Sequence, residues 1–160
     1  MSYRIAVSRV QVTLISRTGS RRRVDIFLRM PQTQAKQQES LGDRLNHPDT
    51  RFIPVEIENT VELYSLTNIA YIEVSGALPE VEDIVNLGGS REPATVVLMD
   101  GHALEGDFIY ARPHNQSRVS DLLNLGDDFM LLYDGELSRY INRNAIARVR
   151  TGLDDLLHDA

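Results

Sequence analysis

The chain has no cysteine and no tryptophan, one lysine among its seventeen basic residues, and aromatic side chains at only 6% of its 160 positions. Without cysteine there is neither a disulfide framework nor a thiolate metal site. So few aromatics offer no stacking platform for bases, and Phe52, Phe129, Tyr64 and Tyr140 fall in strand patterns where core packing accounts for them. No stretch approaches the ~20 apolar residues that a membrane-spanning helix needs. The opening, MSYRIAVSRVQVTL, alternates polar and apolar residues and lacks the continuous apolar centre of a signal peptide. A cytoplasmic location without membrane contact is therefore expected. The four histidines, His47, His102, His114 and His158, all fall in turns, loops or the tail. None sits in a nucleophile-elbow pattern, and no two histidines or carboxylates show a recognised metal-ligand spacing. The residues thus point to a protein that is not an enzyme and carries no metal or cofactor.

What is present begins with charge. The net charge is −6, distributed unevenly along the chain. Residues 1–51 carry +6, residues 52–107 carry −10, residues 108–150 carry +1 and residues 151–160 carry −3. A basic first third and an acidic middle either neutralise each other within the fold or present opposed surfaces to partners. All basic residues but Lys36 are arginine, the side chain suited to forked contacts with carboxylate or phosphate, although a GC-rich genome gives the same bias.

The chain also repeats itself. Each half opens on an alternating strand, VQVTLIS at 10–16 and ATVVLMD at 94–100, followed by a second apolar run, VDIFLRMP at 24–31 and DFIYARP at 107–113. An Asp-x-Leu-Asn segment follows at 43–46 and 121–124, then FIPVEI at 52–57 and FMLLYD at 129–134, then VELYSLTNIAYIEV at 61–74 and LSRYINRNAIARVR at 137–150. From Phe52/Phe129 through Ile69/Ile146 to Ile72/Val149 the offset is a constant 77 residues. Alternation argues for half-buried strands and the Asp-Gly pairs for hairpin turns. Each half reads as strand, strand, short helix, strand, strand.

The helix of the first half has Ser40 and Asp43 in a capping-box arrangement and Pro48 to end it. That of the second has Ser117 to cap its start and Gly126 to end it in a left-handed conformation. Asn46 and Asn124 are expected to close these helices by bonding backbone groups. The organisation expected is a first unit at 1–75, a short helix and linker at 76–93, a second unit at 94–151 and an acidic tail at 152–160.

VVLMDGHALEGDF and YINRNAIARV in the second half resemble the two signatures of the Sm-like family: an alternating strand, a turn at Asp100-Gly101, a second glycine at Gly106 where the strand bends, then a strand, a tight polar turn and a strand. The resemblance implies two tandem Sm-like or SH3-like small barrels, mostly β, each with a short helix between its second and third strands. It also implies association through open strand edges. The first half departs from the pattern with Arg23-Val24 in place of the second glycine, and Arg143 is followed by Asn144 where many family members have Arg-Gly. Of the family's uridine-binding positions, only Asp100-Gly101 and Arg143 have counterparts here.

Phosphate or partner contacts have seven candidates. Arg17, Arg21, Arg22 and Arg23 crowd one loop around Gly19, and Arg112 and Arg118 flank a polar loop, with Arg143 in the second signature. Guanidinium forks with backbone N–H groups suit phosphate, while a solvated hairpin tip is the plainer reading. The Arg-rich stretch is also similar to the opening of the PilZ cyclic-dinucleotide binders, but the Asp/Asn-x-Ser-x-x-Gly partner is not in the matching place. Together these features lead to a non-enzymatic adaptor or scaffold that binds a protein partner or itself. The second reading is an RNA- or nucleotide-binding regulator working through the arginine loop.

Overall fold

The computed structural model describes residues 7–29, 39–111 and 119–152. Its strands are β1 (Val7–Ser16), β2 (Arg21–Arg29), β3 (Phe52–Ile57), β4 (Thr60–Ser65), β5 (Ile69–Ser75), β6 (Ser90–Leu98), β7 (Ala103–Tyr110), β8 (Phe129–Tyr133), β9 (Leu137–Asn142) and β10 (Ile146–Thr151). Three short helices join them: α1 (Leu41–Leu45), α2 (Pro79–Asn86) and α3 (Val119–Leu125). Period-two burial produces the strands: Val24, Ile26 and Leu28 are buried along β2, and Ala94, Val96 and Leu98 along β6. No helix among the described residues is long and apolar enough to cross a membrane.

The turns follow local chemistry. Gly101 and Gly135 sit at φ 93° and 97° where hairpins reverse, a conformation that glycine takes without a Cβ penalty. The β3–β4 turn instead places two non-glycine residues, Glu58 (φ 48°) and Asn59 (φ 63°), in the left-handed region between the paired Ile57 and Thr60. That two-residue turn matches the natural twist of a hairpin. Gly106 is required by proximity, since a Cβ there would lie 2.8 Å from the carbonyl oxygen of Tyr133.

The two closed barrels expected from the sequence do not form. The chain makes one open ten-stranded antiparallel sheet in the order β10-β6-β7-β8-β9-β5-β1-β2-β3-β4. In each half the last strand returns to the first, β5 to β1 and β10 to β6. The fourth strand, however, never meets its own fifth. β9 pairs with β5 of the other half, and β4 and β10 become the two ends of the sheet. Strands and turns follow from nearby residues, whereas the choice of partner for an open edge is non-local and leaves no periodicity to read.

The two halves share their cores reciprocally. One cluster, built on Leu14, Ile26, Ile53 and Ile72 of the first half, takes in Ile109, Phe129, Leu131 and Tyr140 of the second. The other, built on Val96, Phe108, Leu132 and Ile141, takes in Ile15, Ala70 and Tyr71 of the first. α2 lies in the stretch expected to be part helix and part linker, with Leu78 and Val81 packed into the first cluster.

Two local expectations also change. Ser40 and Asp43 form the capping box, with Ser40 Oγ accepting from the Asp43 N–H at 3.0 Å and Asp43 Oδ2 from the Ser40 N–H at 3.2 Å. α1 nevertheless ends at Leu45, before Pro48. Gly126 is not among the left-handed glycines. Its need is steric, because a Cβ would meet the Leu122 carbonyl oxygen at 2.4 Å. Ser117 lies outside the described residues.

Candidate interaction surface

The seam between the halves shows what this sheet can recognise. β5 and β9 run antiparallel with Tyr71 opposite Ile141, Ile72 opposite Tyr140, Glu73 opposite Arg139 and Val74 opposite Ser138. Within that register Arg139 Nε donates to Glu73 at 3.1 Å. Beside it the Ser138 hydroxyl donates to the Gly76 carbonyl at 2.7 Å and accepts from the Leu78 N–H at 3.2 Å. Tyr140 reaches over α1 and gives its hydroxyl proton to Glu80 at 2.7 Å. Burial, with the Glu80 carboxylate alongside, pushes this phenol well above its ordinary pKa, so it remains a donor.

Asn46 at the end of α1 closes the seam from the other side. Its side-chain amide donates to the Phe129 carbonyl at 3.0 Å, and its Oδ1 accepts from the Phe129 N–H at 2.8 Å. The helix is closed by the Asn46 backbone N–H on Gly42, so the side chain does not serve its own helix as the sequence suggested. Asn142, buried on β9, donates to the carbonyls of Leu66 and Ile69 across the seam.

The repeat places counterparts of these residues at the free ends of the sheet, and their surroundings differ sharply. Phe129 is 3% exposed and its counterpart Phe52 is 58% exposed. Tyr140 and Ser138 are 6% and 1% exposed, whereas Leu63 and Val61 stand at 67% and 59%. The outer face of the β3–β4 hairpin therefore carries Phe52, Val61 and Leu63 beside a terminal strand. An unpaired edge with apolar groups beside it is open to pairing with a further strand. At the opposite end, β10 presents Arg148 and Arg150, and α3 exposes Asn124 and Leu125.

The arginines singled out in the sequence are placed as follows. Arg21 binds Glu73 at 3.3 Å. Arg22 binds Glu62 at 2.9 Å and the Tyr64 hydroxyl at 2.6 Å. Arg143 donates to the carbonyls of Leu123 and Gly126 and pairs with Asp128 at 2.8 Å. Arg17 and Arg23 are exposed. Arg112 and Arg118 lie outside the described residues. Arg21, Arg22 and Arg143 are thus committed to the protein's own acceptors, and the structure does not gather the described arginines into one cradle.

A groove of about 550 Å³ runs beside the seam, lined by Asn46, His47, Arg51, Phe52, Asp128 and Asn142 among others. No group of three or more His, Cys, Asp or Glu among the described residues has the arrangement to hold a metal ion. The His102 ring pairs with Asp100, two residues away in an exposed turn, and the His102 backbone N–H and ring hold that carboxyl below its usual range. Sequence reasoning missed Val61 and Leu63. The available signal was their alignment with Ser138 and Tyr140, but periodicity does not reveal which member of a repeat is covered. No family model matches the chain, and neither the curated proteins nor the solved structures contain a match.

Proposed function

We propose that this chain is a non-enzymatic interaction module, an adaptor or scaffold that takes another polypeptide onto its β4 edge. The observation that carries the reading is the exposed face formed by Phe52, Val61 and Leu63, whose repeat counterparts are buried in the seam between the halves. Added strands gain main-chain hydrogen bonds from an open edge and specificity from side chains on alternate positions. The likeness to Sm-like sequences supports the same mode, since that family also associates through strand edges. Among the described residues the nucleic-acid reading rests on Arg17 and Arg23, because Arg21, Arg22 and Arg143 already have acceptors; Arg112 and Arg118 lie outside the described residues.

The test is a pull-down at near-physiological salt using wild-type and Leu63→Lys baits, with a differently tagged copy of the chain among the prey. A stoichiometric protein held by wild type and lost by Leu63→Lys is the expected result. A bait that holds no stoichiometric protein overturns the reading. RNA binding that weakens with salt and disappears when Arg17 and Arg23 are both changed to Ala would favour the second reading.

A further inference from the structure

We infer that the occupant of the β4 edge is the β10 edge of a second copy of this chain, seated as β5 sits on β9. The inference rests on the reading of β4 as an interaction surface and names its partner.

Continuity with the internal seam provides the register. The offset that aligns β3–β5 with β8–β10 carries Ile72–Tyr140 to Val149–Leu63, Glu73–Arg139 to Arg150–Glu62, and Val74–Ser138 to Thr151–Val61. The apolar pair stays apolar. The charged pair stays complementary with its sign exchanged: the internal seam has glutamate on the fifth strand and arginine on the fourth, while the outer one has arginine on β10 and glutamate on β4. Opposite charges directly across strands favour pairing and like charges oppose it. The exchange therefore sets Glu62 against Glu73 and Arg150 against Arg139 in any joint that mixes inner and outer strands. In the internal seam Glu73 is shared by Arg21 and Arg139. Glu62 already holds Arg22, leaving the second place to Arg150.

Sizes exchange as well. Tyr140 lies so close to α1 that a Cβ on Gly42 would fall 2.5 Å from its hydroxyl. On α3 the matching residue is Ser120, which has that Cβ, and the residue facing it from the next copy would be the shorter Leu63. Asn124 is exposed and aligns with Asn46. It is placed to hold the Phe52 backbone as Asn46 holds that of Phe129. Leu125 beside it, 70% exposed, extends the apolar receiving surface.

Because β4 and β10 differ, the contact is head-to-tail: every copy offers one edge of each kind, and association closes a ring or extends a filament.

The experiment measures mass by light scattering across a concentration series for wild type, Glu62→Arg, Arg150→Glu, and an equal mixture of the two variants. Wild type is expected to form species at multiples of 18.1 kDa. Each variant alone brings like charges together, shifting its dissociation midpoint by roughly tenfold or more. The mixture restores assembly. At one joint the arginine introduced by Glu62→Arg faces the glutamate introduced by Arg150→Glu, and at the next the unaltered Glu62 and Arg150 of the two variants face each other. Thermal melting of dilute variants checks that folding is intact, as both positions are on exposed edges. Wild-type assembly that the single variants leave unchanged, or that mixing fails to restore, overturns the proposal. A monomeric wild type that captures a different protein through Leu63 overturns this inference alone. A monomer that captures nothing overturns the interaction reading too.

Discussion

The hairpins β3–β4 and β8–β9 occupy the same place in the repeat, yet one is covered and the other is not. In β8–β9, Phe129, Leu131 and Tyr140 enter a core made mostly by the other half, while Asn46 binds β8 and Glu80 binds β9. In β3–β4 the aligned Phe52, Pro54 and Leu63 have no such neighbour, and Phe52 and Leu63 stand largely in solvent. Burial here is decided by position in the chain of repeats. The second half's fourth strand finds a fifth strand to pair with, and the first half's fourth strand ends the sheet.

The contrast is broken most forcefully at Tyr140. Tyr140→Ala removes a buried aromatic and leaves a cavity in the seam, and should cost about 3–5 kcal/mol in urea denaturation. Leu63→Ala, its counterpart, should change the stability of the dilute monomer by less than ~0.5 kcal/mol. Asn46→Ala comes next. It leaves the Phe129 N–H and carbonyl without their partner and should cost about 1–3 kcal/mol, while Asn124→Ala costs almost nothing at low concentration.

Gly106→Ala sharpens a different asymmetry. Its Cβ would press on the Tyr133 backbone, and accommodating it should cost on the order of 1–2 kcal/mol. In the first half the buried Val24 fills the aligned position. The smallest effect is expected from Arg22→Ala, because the Arg22–Glu62 pair is exposed on both sides. Such exposed surface pairs contribute little, and salt should erase the difference.

Much of this architecture was legible in the residues. Alternation located the strands, the Asp-Gly turns separated the hairpins of the second half, and the constant spacing from Phe52/Phe129 to Ile72/Val149 aligned the halves. The Asp-x-Leu-Asn segments were found, but not their use. Asn46 bonds the backbone of Phe129, 83 positions away, and no local pattern encodes such a reach. The same holds for the β5–β9 seam, which replaces closure of either half on itself. The arginines show the reverse limit: within the dense 17–23 cluster, Arg21 and Arg22 form separate ion pairs with Glu73 and Glu62, which come from distant strands.

Hydrogen–deuterium exchange followed over a range of protein concentrations tests most directly whether the exposed hairpin is an uncovered seam. β5 and β9 should be protected at every concentration, while β4 and β10 exchange quickly in dilute protein and become protected together as concentration rises. Fast exchange at β4 and β10 at all concentrations, or protection of one without the other, would contradict the account.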